Sequence, residues 1–101
     1  MTDTATLSER TREFLRALAS ENRQQLLLLF ADAQPRSVGQ IAAELGIGQS
    51  TASEQLAALR RGGIVQARRE GKTVYYCADR DGIINALDEL QTILRSCCPP
   101  S

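Results

Sequence analysis

Two short amphipathic segments joined by a glycine turn constrain the fold of this chain more than any other feature of its 101 residues. Ser37 followed by Gln40 has the spacing of a capping box, which predicts that a helix begins there. Gly46-Ile47-Gly48 predicts a tight turn, and residues 49–61 predict a second helix. Each predicted helix turns an apolar side to the core, formed by Val38, Ile41, Ala42 and Leu45 in the first and by Ala52, Leu56, Ala57 and Leu59 in the second. This arrangement is typical of a helix-turn-helix, here over residues 37–61.

The second of these helices begins with four short polar residues, Gln49, Ser50, Thr51 and Ser53. Such residues lower helix propensity, and one of them is enough to cap a helix. A row of short hydrogen-bonding side chains at a helix N-terminus suits base edges in the major groove of DNA. Gln55 adds an amide of the kind that pairs with adenine through two hydrogen bonds. We therefore predict base contacts from all five residues, with helix capping alone as the alternative for Ser50.

A β-hairpin is predicted to follow the second helix. Gly62-Gly63 ends that helix, since glycine adopts the left-handed conformation of a helix end without strain. Residues 64–69 and 73–77 have the character of strands, with a turn at 70–72. The hairpin, over residues 64–77, is the wing of a winged helix. We predict that five basic residues on the wing and at the end of the helix hold DNA phosphates: Arg60, Arg61, Arg68, Arg69 and Lys72.

Three further helices complete the predicted fold. The spacing of apolar residues predicts the first over residues 8–19, and Ser20 is placed to cap a second that runs to about Ala33. Five consecutive apolar residues, 26–30, predict that this second helix is buried on most sides. The last helix, over residues 80–98, carries apolar residues at alternating spacings that suit packing against another helix: Ile83, Leu87, Leu90, Leu94 and Cys97. The predicted fold class is mainly α with a small β-hairpin wing, and residues 1–101 are predicted to form one domain.

The charge of the chain is balanced overall but uneven along its length. Twelve basic and twelve acidic residues cancel, yet residues 36–73 hold six basic residues against three acidic ones. A basic middle in a neutral protein fits a polyanion as partner, with ordinary surface charge as the alternative.

Composition excludes several classes of protein. The chain has no histidine, which removes imidazole-based catalysis and the commonest metal ligand, and it has no phosphate-binding glycine loop. We therefore expect that it is not an enzyme and that it requires no cofactor. No apolar run approaches the about 18 residues that span a bilayer, and the N-terminus has no apolar signal region. We expect a cytoplasmic location and no membrane partner.

With these elements in place, the sequence resembles the ArsR/SmtB (arsenic-repressor) family of bacterial winged-helix regulators. The resemblance extends over about residues 14–98 and is carried by Leu18-Ala19-Ser20-Glu21-Asn22-Arg23, Ile41-Ala42-Ala43-Glu44-Leu45-Gly46-Ile47, Gln49-Ser50-Thr51-Ala52-Ser53 with Leu56 and Leu59, and Arg69-Glu70-Gly71-Lys72-Thr73-Val74-Tyr75-Tyr76. It implies a homodimer, held by the first and last helices, that represses transcription from an inverted-repeat DNA operator and releases it when an inducer binds. The family often has His at the position of Gln55, a departure that concerns base preference and not the binding mode. A winged-helix protein-interaction module is the alternative function.

The metal sites familiar in that family are missing from this sequence. The resemblance places one site at the start of the helix before the turn and another on the last helix. None of the residues at the corresponding positions is a plausible zinc ligand: Ser37, Gly39, Arg80, Gly82, Ile93 and Ser96.

The cysteines are the remaining candidates for an inducer site. Cys77 stands roughly 27 Å from Cys97-Cys98 along the last helix, so we expect it to be packed or idle. Two thiols at a helix end suit a soft centre, and some family members carry adjacent Cys there, so we predict arsenite or antimonite bound by Cys97 and Cys98. The alternatives are oxidation or persulfidation of these thiols and no inducer role at all. Among oxidised forms a direct bridge between Cys97 and Cys98 is expected least, because it closes a strained eight-membered ring.

Overall fold

The computed structural model describes residues 6–98 and 100, and within them the chain forms five α-helices and a three-stranded sheet. In chain order the elements are α1 (Glu9–Leu18), α2 (Glu21–Leu29), a 3₁₀ helix (Phe30–Asp32), β1 (Arg36–Ser37), α3 (Val38–Leu45), α4 (Gln49–Arg61), β2 (Val65–Glu70), β3 (Thr73–Ala78) and α5 (Arg80–Cys97). The predicted fold class is confirmed. Residues 1–5, 99 and 101 lie outside the described part, so a single domain over residues 1–101 stays a prediction.

The first two helices begin at serine caps. Ser8 accepts a hydrogen bond from the backbone N–H of Thr11, and Ser20 accepts one from Arg23, as its predicted cap role requires. The prediction that α2 is buried on most sides is wrong, because only Leu26 in it is buried and Leu28 is 62% exposed. The four consecutive leucines point in every direction around the helix, whereas α2 packs on its own chain along one side.

The helix-turn-helix forms around a common core. The capping box of Ser37 and Gln40 is present in both directions. Ile41 and Ala42 of α3 are buried, as are three residues of α4 spaced along one face: Ala52, Leu56 and Leu59. Ala57, predicted to face this core, is exposed, because it lies about 100° round the helix from Leu56 and off the buried stripe.

The wing is a hairpin of β2 and β3, and β1 adds a third strand that the sequence did not predict. The strand order is β1-β3-β2, all antiparallel, with Arg36 paired to Tyr76. β1 has only two residues and follows Pro35, so it carries no alternating pattern. Gly63, at φ 71°, takes the left-handed conformation between α4 and β2.

The last helix is held by its own chain mainly near its start. Asp79 caps α5 by accepting a hydrogen bond from the backbone N–H of Gly82, and its own N–H donates to the Ile64 carbonyl. Only Gly82 and Ala86 of α5 are buried, whereas Leu87 and Leu94 are exposed. The side of α5 predicted to pack against another helix is therefore largely uncovered in one chain.

No helix in the described part of the chain has the length and the apolar character needed to cross a membrane.

Candidate nucleic-acid interface and cysteine pair

The polar beginning of α4 is exposed and is not used for capping. The N-cap of α4 is Gly48, with no side-chain cap, so the alternative that Ser50 serves only as a cap is wrong. Gln49, Ser50, Thr51 and Ser53 are all exposed. Their hydroxyl and amide groups are therefore on the surface at a helix N-terminus, where small polar side chains can approach base edges.

Gln55 is in a different environment from the residues before it. Its side chain is partly buried, and its Oε1 accepts a hydrogen bond of 3.2 Å from Nη1 of Arg23 on α2. It also lines a cleft between α2, α3 and α4, together with Asn22, Leu45 and Thr51. The predicted two-bond contact of Gln55 with adenine needs both the oxygen and the nitrogen of its amide, and here the oxygen has a protein partner.

Arg23 is a functional candidate that the sequence reasoning did not single out. Its Nε donates to the Ala17 carbonyl at 2.6 Å and its Nη2 donates to the Arg16 carbonyl at 3.1 Å. The guanidinium thus binds the C-terminal end of α1, where a positive charge is favoured by the helix dipole. The serine cap at Ser20 places a basic residue just after α1, which could have indicated this capping, but no local pattern points to Gln55.

The basic residues predicted to hold phosphates differ in how far they are engaged. Arg60 and Arg61 lie in the last turn of α4 and are exposed, as is Lys72 in the turn of the wing. None of these three has an ion-pair partner among residues 6–98. They are the most available cations of the predicted set.

Arg68 and Arg69 lie on opposite faces of the wing. They are consecutive in β2, paired across the hairpin with Tyr75 and Val74, and side chains alternate along a strand. Arg68 forms an exposed ion pair of 2.8 Å with Glu70, and Nε of Arg69 donates to the Gly71 carbonyl. The two arginines therefore cannot approach one phosphate from the same face.

Arg36 is one of the six basic residues in the basic segment 36–73, but its charge is neutralised by ion pairs within the fold. Its guanidinium pairs with Asp32 at 2.7 Å and with Glu44 at 2.9 Å, and its side chain is only 12% exposed. The hydrogen bond from Arg36 lowers the pKa of Asp32 to about 2, and the two carboxylates raise the pKa of Arg36. Arg36 thus joins the 3₁₀ helix to α3 and is not a free cation.

The three cysteines lie in two separate places, as the sequence predicts. Cys77 is unpaired and partly buried on β3, while Cys97 and Cys98 are exposed at the end of α5. The sulfur atoms of Cys97 and Cys98 are joined as a disulfide, although the sequence led us to expect this bridge least among the oxidised forms. The physical reason is that α5 ends at Cys97 and Cys98 has extended backbone, which removes the helical angle between the two side chains.

The described part of the chain contains no cluster of side chains that could bind a metal ion permanently. No group of three or more His, Cys, Asp or Glu residues there could hold a metal ion. Cys97 and Cys98 supply two sulfurs and no further ligand from their surroundings.

Comparison with known proteins connects this geometry to a family. The family model of arsR-type bacterial regulatory proteins matches residues 20–67. The transcriptional activator HlyU of Vibrio cholerae is 44% identical over 62 residues, which are 61% of this chain and 56% of HlyU. The biofilm growth-associated repressor of Agrobacterium fabrum is 38% identical over 85 residues, which are 84% of this chain and 70% of the repressor. The chain thus spans little more than half of HlyU but over two thirds of the repressor.

A solved structure extends the likeness to the whole described fold. The winged helix-turn-helix DNA-binding domain of Mb0332 from Mycobacterium bovis, described as homodimeric, has a TM-score of 0.69 and 31% identity. The match covers 95% of this chain and 94% of that domain. These relatives are regulators, in agreement with the expectation that the chain is not an enzyme. The chain belongs to the ArsR family of bacterial regulatory proteins.

Proposed function

We propose that the chain is a dimeric transcriptional repressor that binds an inverted-repeat operator in duplex DNA. The observation that carries the proposal is the exposed, uncapped polar beginning of α4 next to a wing with available cations. Side chains of this kind at a helix N-terminus read bases, and cations beside them bind phosphates. A protein that binds bacterial DNA acts in the cytoplasm.

The dimer is supported by the uncovered side of α5. Leu87 and Leu94 on α5 and Leu15 on α1 are large apolar residues that one chain leaves exposed. Apolar residues repeated along one side of a helix favour packing against a second helix, and the related Mb0332 domain is described as homodimeric. Two-fold symmetry of the protein then requires two half-sites in inverted orientation. Repression is the direction printed for the Agrobacterium relative, whereas HlyU is an activator.

A salt titration tests DNA binding. Replacing Arg68, Arg69 and Lys72 with alanine should weaken binding to every duplex and reduce the slope of log affinity against log salt by about 0.9 for each phosphate that is no longer bound. Arg80→Ala is the matched control, because Arg80 is also exposed but lies at the start of α5. An unchanged slope in the triple variant would show that the wing does not contact DNA phosphates. A parent chain without salt-dependent affinity for DNA would favour the protein-interaction module.

The proposed inducer site is Cys97-Cys98, with arsenite or antimonite as the inducer. Both cysteines are exposed, and reduction of their disulfide would leave two neighbouring thiols that can reach one centre, which suits a soft, thiophilic element. A third ligand would have to come from outside the described residues of one chain. Binding at the uncovered end of α5 would shift its packing against the partner chain, and a coupling of about 1–3 kcal/mol would change operator affinity 5- to 150-fold.

A paired Cys97→Ser, Cys98→Ser variant tests the site. The variant should keep operator affinity and no longer be released by arsenite, whereas Cys77→Ser should respond as the parent does. Release of the double serine variant by arsenite would place the site elsewhere, with Cys77 as the next candidate.

Thiol oxidation is a second candidate signal, and the disulfide between Cys97 and Cys98 favours it. Hydrogen peroxide would take two electrons and two protons from the two thiols, form the S–S bond and leave as two waters. If this is the signal, peroxide releases the operator, a dithiol reductant restores binding, and intact-mass measurement shows the loss of two hydrogens. A parent that ignores arsenite but follows this cycle would replace the metalloid proposal with the redox one.

A further inference from the structure

We infer that Arg23 is a positioning residue that fixes Gln55 as a hydrogen-bond donor to DNA, so that Gln55 selects guanine and not adenine. The inference rests on the proposed function. It starts from one contact, the hydrogen bond of 3.2 Å from Arg23 Nη1 to Gln55 Oε1.

The contact fixes the direction of the Gln55 amide. A glutamine amide has one acceptor oxygen and one donor nitrogen with two hydrogens. Arg23 has only donors, so the group that it binds is the oxygen, and Nε2 becomes the free end. No residue in the described part of the chain accepts a hydrogen bond from Nε2.

Arg23 is itself held in place by the end of α1. Two of its nitrogens donate to the Ala17 and Arg16 carbonyls, and Ser20 caps the turn of α2 from which Arg23 extends. A guanidinium is planar, so two fixed hydrogen bonds set the direction of the third. The orientation of Gln55 on α4 is therefore set by the C-terminal end of α1.

The free amide nitrogen determines which base it can read. In the major groove guanine presents two acceptors, N7 and O6, whereas adenine presents one acceptor and one donor. A bidentate contact with adenine would need the Gln55 oxygen, which Arg23 occupies. A Gln55 that only donates thus favours guanine, by about five- to tenfold over adenine at one position of each half-site.

The test is selection of bound duplexes from a randomised DNA library, followed by affinity measurements on single-base variants of the selected operator. Gln55→Ala identifies the position that Gln55 contacts, because its base preference disappears there. Arg23→Met removes the donors of Arg23 and frees the Gln55 oxygen, so preference at that position should move from guanine to adenine. Gln24→Ala is the matched control, since Gln24 also caps α1, through the Leu18 carbonyl, but is not bonded to Gln55.

The outcomes separate the inference from a purely structural role of Arg23. Loss of stability without a change of base preference in Arg23→Met, or adenine at the Gln55 position in the parent, overturns the inference. If Arg23→Met does not fold, Gln55→Glu decides, because a glutamate keeps the bond to Arg23 but has no N–H to donate. Preference for guanine should then disappear at that position, and its retention overturns the inference. A parent that binds no duplex overturns the proposed function itself.

Discussion

The two longest helices, α4 with 13 residues and α5 with 18, are packed in opposite ways. α4 has three residues, Ala52, Leu56 and Leu59, that are completely buried in its own chain. α5 is longer and carries more large apolar residues, yet one chain buries only Gly82 and Ala86 of it and leaves Leu94 61% exposed. The apolar side of α4 is therefore covered by its own chain, whereas most of the apolar side of α5 is uncovered in one chain.

The attachment of α5 is also uneven along its length. Asp79 and Gly82 fix its first turn, and Glu89 accepts hydrogen bonds from Ser8, the N-cap of α1, and from Thr11 of α1. Beyond Glu89 no residue of α5 within the described part is buried, and Cys97 and Cys98 follow at its end. A chemical change at these cysteines would therefore act on the part of α5 that its own chain holds least.

The largest effect on stability is expected from replacing one leucine in α4, and we compare it with the replacement of one leucine in α5. Leu56→Ala should lower the free energy of unfolding by about 2–5 kcal/mol, because it leaves a cavity in the core of the chain. Leu94→Ala should act through the dimer, so its melting temperature should rise less steeply with protein concentration than that of the parent, because a weaker dimer contributes less stabilisation by mass action. Thermal unfolding over a range of concentrations measures both. A concentration-independent loss of several kcal/mol in Leu94→Ala would show that α5 is completed within one chain.

A charged residue introduced on the exposed side of α5 should dissociate the dimer. Leu94→Glu should make the chain monomeric by sedimentation and weaken operator binding about a hundredfold, because the two half-sites would no longer be bound by one linked pair. Leu28→Glu is the matched control, since Leu28 is equally exposed, at 62%, but lies on α2. If Leu28→Glu dissociates the dimer and Leu94→Glu does not, the dimer interface is on α2.

The features that the sequence predicts well are local ones. The capping box at Ser37 and Gln40, the stripe of Ala52, Leu56 and Leu59 and the hairpin turn at Gly71 depend on residues a few positions apart. Helix period and cap chemistry decide such features before any tertiary contact forms. The same locality made the four leucines of α2 misleading, because periodicity cannot show which sides of a helix have neighbours.

The features that the sequence does not predict join distant residues. Arg23 and Gln55 are 32 positions apart, and Glu89 and Ser8 are 81 positions apart. The residue types permit both contacts but no spacing indicates them. For the candidate site, the exposed polar start of α4 and the cysteine pair follow from the sequence, whereas the orientation of Gln55 requires the fold.

A smaller effect is expected at the point where α5 meets the rest of its chain. A Cβ at Gly82 would contact the backbone carbonyl of Gly63, which cannot rotate away. Gly82→Ala should therefore destabilise the chain by about 1–3 kcal/mol. Gly39→Ala in α3 is the control, because its Cβ would lie 3.6 Å from Nε2 of Gln49, an ordinary contact, and alanine favours a helix. Chemical denaturation measures both, and a Gly82→Ala chain as stable as the parent would show that α5 can shift freely at its first turn.

The smallest expected effect is the pH dependence of the attachment between α1 and α5. Hydrogen bonds from the Thr11 hydroxyl and from the backbone N–H and hydroxyl of Ser8 lower the pKa of Glu89 below 4.5. The unfolded chain therefore binds a proton at Glu89 at a higher pH than the folded chain does. This stabilisation is present above pH about 4.5 and disappears as the pH falls through the lowered value.

Glu89→Gln tests this attachment, because the amide of a glutamine has no proton to gain on acidification. The variant should be slightly less stable than the parent at neutral pH and should lose less stability as the pH falls. Asp32, whose pKa is lowered to about 2, responds in the same acidic range, so the comparison is the difference between variant and parent melting temperatures at each pH. Asp88→Asn is the control, since Asp88 has no hydrogen-bond or ion-pair partner among residues 6–98. If the profiles of Glu89→Gln and the parent run parallel from about pH 7 down to about pH 3, Glu89 does not secure α5 to α1.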